Sequence, residues 1–413
     1  MFETTLKGVP ITKAMVRSAY RKVRSNQGSA GVDGESLETF RKDELNNLYV
    51  LWNRLSSGSY FPKPVRSVTI PKAGGKKREL GIPAVSDRIA QQVVKDYLEP
   101  RLEATFAEQS YGYRPLKSAH QAVTVVREHV RNYMWVVDLD IKSFFDEVDH
   151  ELLMKAVERH VPEKWVKVYI RRWLESPVQK PDGTLHAKEG RGTPQGGVIS
   201  PLLANLFLHY VLDKWLMKEY PGIAFVRYAD DIILHCHTEV QAEQVLEALR
   251  GRLAACKLRL NQEKTKVVYC QNYQRNKRKD YGKKFDFLGF TFKPRSVESK
   301  RDTGRFLGYD CSISQAAQSR IMESWRELDW LRRQLSLQDI AAEINVQMKG
   351  IIRYYGKFNR WKLGRLYMHF GFRLAKWALK KYKRLKGRYS RAFRWVGGLK
   401  KSYPNLFYHW AFC

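Results

Sequence analysis

"FVRYADDIILHC" (Phe225–Cys236) places two adjacent aspartates, Asp230 and Asp231, inside an apolar run. Phe225, Val226, Tyr228, Ile232, Ile233 and Leu234 are residue types that suit a strand interior. The pattern predicts a β-hairpin with Ala-Asp-Asp at its turn. Adjacent carboxylates there repel each other and lose hydration. Aspartate is common in turns, so the pair alone is ordinary. Tyr-Ala-Asp-Asp between two apolar strands is far more specific.

A third carboxylate belongs with them. "MWVVDLDIKSFFDEVDH" (Met134–His150) begins as a buried strand, ends it at Asp140 and continues as a short helical segment over 142–146. Strand ends in one sheet can place Asp140 beside Asp230 and Asp231. Divalent cations among them would remove the repulsion, and an all-oxygen donor set suits Mg²⁺. Two such ions about 4 Å apart activate an attacking hydroxyl and stabilise a leaving phosphate. Phosphoryl transfer asks mainly for positioning and charge neutralisation.

The bulk charge points the same way. The 413 residues carry 74 Lys+Arg against 42 Asp+Glu, a net charge of +32. That excess repels itself unless a polyanion is present, and nucleic acid is the expected partner. Residues 351–413 hold 17 Lys/Arg, no Asp or Glu, and 17 aromatics, including Trp361, Trp377, Trp395 and Trp410. Cations interleaved with aromatics suit phosphate contact plus base stacking. A helical core under a solvated basic face is the plainer alternative. Cys236, Cys256, Cys270, Cys311 and Cys413 form no CxxC pair, which argues against a disulfide framework or a four-cysteine zinc site. No apolar leader and no membrane-spanning run is legible, so a cytoplasmic setting is expected.

Coarse periodicity divides the chain into a mixed α+β body to about 295 and a basic, mostly helical tail. Helices are expected over 11–25, 36–55, 87–106 and 240–258. "VRSVTIPKAGGKKRELGIP" (Val65–Pro83) reads as two strands around a cationic Gly-Gly turn. "GTPQGGVISPLLANLFLHYVLDKWL" (Gly192–Leu216) reads as a Gly-rich loop feeding a long apolar helix. Residues 271–284 and 300–306 read as loops, and helix is expected from Ser312 onward.

Taken in order, "DIKSFFD" (Asp140–Asp146), "GTPQGGVISPLLANLFL" (Gly192–Leu208), "YADD" (Tyr228–Asp231), "LNQEKT" (Leu260–Thr265) and "FLGF" (Phe287–Phe290) resemble the motifs of reverse transcriptases. "NQGSAGVDG", "IPKAGGKKRELGIPAVSDRIAQQ", "SYGYRP" (Ser110–Pro115) and "INVQMKGIIRYYGKFN" (Ile344–Asn359) resemble the group II intron-encoded reverse transcriptase/maturases of bacteria. The resemblance runs from about residue 15 to the end. It implies an α+β right-hand polymerase, with fingers and palm of antiparallel sheet plus helices over 1–295. An N-terminal extension would occupy about 1–60, and an α-helical thumb/maturase region 296–413. No stretch remains after "NLFYHWAFC" for an H-N-H endonuclease, so the endonuclease-lacking class is the one implied.

The resemblance also assigns roles. Asp140, Asp230 and Asp231, with the Ile141 carbonyl, would hold two catalytic Mg²⁺ ions. Lys72 and Arg78 would reach the triphosphate, with Lys76 and Lys77 less direct. Phe144 and Phe145 would lie at the nucleotide, Phe145 as the gate against a ribose 2′-hydroxyl. Gln195 would contact the nascent base pair, and Gly196 and Gly197 would allow close backbone approach. Ala229 would leave room for the primer end. Lys264 would donate a proton to pyrophosphate, unless it is a solvated surface lysine. Phe287, Leu288 and Gly289 would grip the template–primer duplex. The implied partners are an RNA template, structured intron RNA, a DNA primer and product, and dNTPs. No membrane or protein partner is implied. The implied activity is RNA-directed DNA synthesis with splicing assistance in a mobile intron, in a bacterial, nucleoid- or RNP-associated setting. Two alternatives are a domesticated relative in host DNA repair or defence, and an RNA-binding splicing cofactor without polymerase activity.

Overall fold

A computed structural model describes residues 9–71, 77–275, 277–298, 304–330 and 333–412. The chain divides into two units. The first takes residues 1–122 and 137–266, and the second takes 123–136 and 267–413.

Eleven strands appear among the described residues. They are β1 (Val65–Pro71), β2 (Lys77–Ile82), β3 (Trp135–Asp140), β4 (Val178–Gln179), β5 (Leu185–His186), β6 (Ala224–Tyr228), β7 (Asp231–Cys236), β8 (Lys266–Tyr269), β9 (Phe285–Phe287), β10 (Phe290–Glu298) and β11 (Arg305–Ile313). The first unit holds two sheets. In one, β1 pairs antiparallel with β2, in register Ser67↔Gly81 and Pro71↔Lys77. On its other side β1 pairs in parallel with β4, so this sheet is mixed where an antiparallel one was expected. The parallel pair needs a long crossover, and more than a hundred residues lie between the two strands. The other sheet runs β6–β7–β3 within this unit. Burial along β3 and β7 is nearly continuous, as a strand covered on both faces requires.

The helix Ser200–Leu208, "SPLLANLFL", is apolar all round, and eight of its nine residues are buried. Pro201 fits its first turn, where a missing N–H costs nothing. A π-helical turn follows at His209–Asp213 and keeps Asp213 fully buried. The helix Val85–Glu103 carries Asp87 inward. There the Tyr60 hydroxyl donates to Asp87 Oδ1 at 2.5 Å and the Lys63 N–H to Oδ2 at 3.2 Å. Burial still pushes the Asp87 carboxyl up to about 6.

The second unit holds the β11–β10–β9 sheet and the helices Gln315–Glu327, Leu337–Tyr355, Gly364–Lys381 and Tyr389–Ser402. Strand structure persists to Ile313, and helix begins after Ser314, whose hydroxyl caps Ala317 N–H. The alternating "RFLGYDCSI" pairs along its whole length with β10, so the expected loop at 300–306 leads into a strand. Trp325, Trp330, Phe370 and Phe407 sit at the centre of its core. Trp377 and Trp410 are buried with them, which removes both from base stacking. They are apolar anchors of a helical core first. Trp361, by contrast, is 66% exposed.

Candidate active site

The β6–β7 hairpin closes at the pair Tyr228↔Asp231, leaving Ala229 and Asp230 as the two turn residues. Asp231 is therefore the first residue of β7 rather than a turn residue. Ala229 takes φ +55°, a left-handed conformation that costs an L-residue about 1–2 kcal/mol. Side chains and backbone around the turn hold it there. Arg227 Nη1 donates to the Ala229 carbonyl at 3.2 Å and to Asn205 Oδ1 at 2.9 Å. Asn205 Nδ2 donates to the Gly112 carbonyl at 2.7 Å. Gly112 lies so close that a Cβ there would meet the Ala229 nitrogen at 2.4 Å. Residues 109–111 line up beside β6, with Arg227 N–H to Gln109 O at 2.9 Å and Tyr111 N–H to Arg227 O at 2.8 Å. The "SYGYRP" segment is thus a floor for the YADD turn.

Asp140 ends β3 and is tied to the LNQEKT loop. Asn261 N–H donates to the Asp140 carbonyl at 2.8 Å, and Lys142 N–H to the Arg259 carbonyl at 2.8 Å. The Asp140 N–H donates to Thr265 Oγ1 at 3.3 Å. Ile141 opposes Leu260 in this narrow pairing, so its own carbonyl points away from the loop. Lys264 Nζ lies 3.1 and 3.2 Å from the two Asp140 oxygens. It supplies one internal counter-charge to the acidic group.

The Asp231 carboxyl is pushed up to about 6, by loss of hydration and then by the charges of Asp230 and Asp140, against Lys264. Asp231 is exposed at the start of its strand, so water still reaches it. Repulsion from Asp230 and Asp140 acts in the same direction as the lost hydration. Among the described residues no three His, Cys, Asp or Glu side chains converge closely enough to ligate one ion as they stand. The donors fit Mg²⁺ in kind: carboxylates and a carbonyl, with a repulsion that a cation relieves.

The 192–197 loop docks on the segment after Asp140. Thr193 N–H donates to the Phe145 carbonyl at 2.7 Å and Gly192 N–H to the Val148 carbonyl at 2.8 Å. Phe145 is 8% exposed. Phe144 is 2% exposed and packs against Phe145 and Phe207, with ring centroids at 5.3 and 6.4 Å. Phe144 therefore faces the core, and of the two expected nucleotide contacts Phe145 keeps the better claim. The Gln195 carbonyl accepts the Gly81 N–H at 2.8 Å, fixing this loop to β2. Gly196, at φ +125°, lies where a Cβ would meet the Gly81 carbonyl at 2.4 Å. Lys72 and the side chain of Arg78 lie outside the described residues, as do Lys76 and the side chain of Lys77.

In the second unit, Phe287 closes β9 and Leu288 and Gly289 form its turn, at φ +50° and +79°. Tyr354 Oη donates to the Leu288 carbonyl at 2.9 Å. A Cβ on Gly289 would meet the Tyr355 hydroxyl at 3.0 Å. Both tyrosines come from "INVQMKGIIRYYGKFN". Asn359, from the same stretch, donates to Asp310 Oδ2 at 3.0 Å and to the Cys311 carbonyl at 2.7 Å.

Sequence reasoning missed Arg227, Asp213, Asn205 and Gly112. The one available signal was a charged residue inside an otherwise apolar strand.

An acidic strand end, a two-residue turn that carries Asp230 and a Gly-rich loop docked on the segment after Asp140 are parts that a nucleotidyl-transfer palm needs. The reverse transcriptase (RNA-dependent DNA polymerase) family model matches residues 70–309, and the chain belongs to that family. Its relatives include a group II intron-encoded protein. Group II intron-encoded protein LtrA of Lactococcus lactis subsp. cremoris is 33% identical over 203 residues, 48% of this chain and 33% of LtrA. Putative COX1/OXI3 intron 1 protein of Saccharomyces cerevisiae is 32% identical over 204 residues, 49% of this chain and 24% of that protein. Protein YkfC of Escherichia coli (strain K12) is 35% identical over 291 residues, 61% of this chain and 76% of YkfC. The chain thus spans three quarters of YkfC and a third or less of the two intron proteins. No helix among the described residues is long and apolar enough to cross a membrane.

Proposed function

We propose that this reverse transcriptase extends a DNA primer on an RNA template at Asp140, Asp230 and Asp231. The observation that carries the reading is that Asp140, from a strand far away in sequence, comes near enough to the Asp230–Asp231 pair to help raise the Asp231 carboxyl. Mg²⁺ bound there supplies activation of the primer 3′-hydroxyl and neutralisation of the leaving pyrophosphate. The Ile141 carbonyl adds an oxygen donor on the side away from the LNQEKT loop. Lys264, whose ammonium lies on the Asp140 oxygens, would be the proton donor to the leaving pyrophosphate. Phe145 excludes a ribose 2′-hydroxyl, Gln195 lies under the nascent pair, and Ala229 leaves space for the primer end. Lys72 and Arg78 reach the triphosphate from the β1–β2 hairpin, Arg by its bidentate fork.

The second unit acts as thumb and maturase surface. Phe287, Leu288 and Gly289 hold the duplex, and the basic helices hold structured intron RNA through phosphate contacts. Similarity to intron-encoded proteins supports a splicing and mobility role, within the cytoplasm of a bacterial cell.

Primer extension on an RNA template with Mg²⁺ tests the reading. The wild type should extend, and Asp230→Asn should extend at least ~1000-fold more slowly, as expected for losing several kcal/mol of metal-borne stabilisation. Mg²⁺ should also raise the melting temperature of the wild type and leave that of Asp230→Asn nearly flat. A wild type that binds RNA tightly yet extends nothing would establish the splicing-cofactor alternative.

A further inference from the structure

Lys188 stands out among the cations of the first unit. Its Nζ is sealed from solvent and has no hydrogen-bond partner among the described residues. Burial pulls the ammonium down to about 8. An unpaired buried cation is costly, and proteins usually pair it.

Lys188 lines a cavity of about 200 Å³. One wall is Ser67 and Gly81 of the β1–β2 hairpin, and the other is Arg191, Thr193 and Gln195. Two acids share the lining, and neither serves Lys188. Glu79 is taken by Lys180 Nζ at 2.5 Å and by the Ser67 hydroxyl at 3.3 Å. Asp146 leaves the Lys188 ammonium unpaired. Arg191 Nη1 is 3.7 Å from Glu147, and more than half of its side chain stays open to solvent at the rim. An ammonium, a guanidinium, a hydroxyl and an amide around one hollow match the acceptor oxygens of a phosphate.

The position of the cavity separates two sources of phosphate. Ser67↔Gly81 lies four residues back along the hairpin from Pro71↔Lys77. At about 3.3 Å per residue that is roughly 13 Å. Arg78, proposed above as a triphosphate contact, pairs with Ile70, three residues or roughly 10 Å along β2 from Gly81, so the cavity is set back from that contact. Gln195, placed under the nascent base pair, is in the cavity wall. A strand passing that base pair brings its own backbone here.

We propose that Lys188 and Arg191 form a subsite for one phosphodiester of the RNA template, beside the nucleotide that pairs with the incoming dNTP. This rests on the polymerase reading above.

The test uses the full chain and a DNA primer annealed to an RNA template with a 5′ overhang. Binding is read by fluorescence anisotropy across a KCl series, and dNTP KM by primer extension. Lys188→Met should raise the Kd for template–primer about tenfold, as for loss of one charge-assisted bond. It should lower the slope of log Kd against log salt by about 0.7–0.9. Its melting temperature should hold or rise, because an unpaired buried charge is removed. Lys188→Arg should restore much of the salt slope. A single methylphosphonate in the overhang should weaken wild-type binding and add nothing to Lys188→Met. Unchanged Kd and slope in Lys188→Met would overturn the subsite. So would an effect confined to dNTP KM, which would assign the anion to the nucleotide, or fully additive losses with the methylphosphonate. A wild type that fails to extend primers would instead sink the polymerase reading itself.

Discussion

Arg227 donates to both carboxylate oxygens of Asp213, at 2.7 and 2.5 Å, and neither side chain exposes any surface. Burial works to raise the Asp213 carboxyl, but Arg227 and His209 outweigh it and hold the group below its usual range. The same guanidinium reaches the Ala229 carbonyl at the β6–β7 turn. Asp213→Ala leaves that cation buried and unpaired, and should destabilise the protein by about 3–5 kcal/mol in urea unfolding. The apolar double variant Arg227→Met/Asp213→Leu should recover most of that loss. Its primer extension should still run about tenfold slow with template–primer Kd unchanged, because the Ala229 carbonyl has lost its donor. A double variant as active as wild type would show that the pair only stabilises the fold.

Asp87 makes stability depend on pH. Its folded pKa of about 6 lies above the unfolded value of 3.8, so the folded state binds the extra proton between these values. The stability it contributes is fully present below about pH 4 and lost as pH rises through 6. For a shift of this size in a fully buried group, the loss is on the order of 3 kcal/mol. Asp87→Asn should unfold more easily at low pH, because its amide cannot accept from both Tyr60 and Lys63, and should show a flatter profile from pH 4 to 7. Parallel profiles for the two proteins would exclude Asp87 as the titrating group.

Phe145 bears on sugar selection. Phe145→Ala should raise the ratio of rNTP to dNTP incorporation, read as kcat/KM for each. The same change opens a cavity in a well-packed site, at about 3–5 kcal/mol. Phe145→Leu, gentler on packing, should relax the ratio less. An active Phe145→Ala enzyme with wild-type selectivity would place the gate elsewhere.

The second unit separates structural from exposed aromatics. Phe372 packs on Tyr389 and Phe393 with ring centroids at 6.4 and 5.0 Å, and all three stay exposed on basic helices. Trp377→Ala should cost about 3–5 kcal/mol of stability. Phe372→Ala should leave the melting temperature within ~1 °C, since surface changes have small effects. It should weaken binding of unpaired RNA by about 1–3 kcal/mol. Equal RNA affinity for wild type and Phe372→Ala would leave phosphate contact as the sole source of binding.

Local rules carried much of this protein. Two apolar runs around Ala-Asp-Asp forecast the β6–β7 hairpin, though with Asp231 in the turn rather than in β7, and strand periodicity placed Asp140 at the end of β3. The cationic β1–β2 hairpin, the apolar helix after the Gly-rich loop and the basic tail were likewise legible, because each depends on residues within about twenty positions. Tertiary structure decided the rest. It buried Phe144 more deeply than Phe145, put Trp377 and Trp410 into a core, paired Arg227 with Asp213 and sealed Lys188 beside a cavity. Each of those outcomes turns on which groups from distant segments share one low-dielectric space, and no local pattern records that.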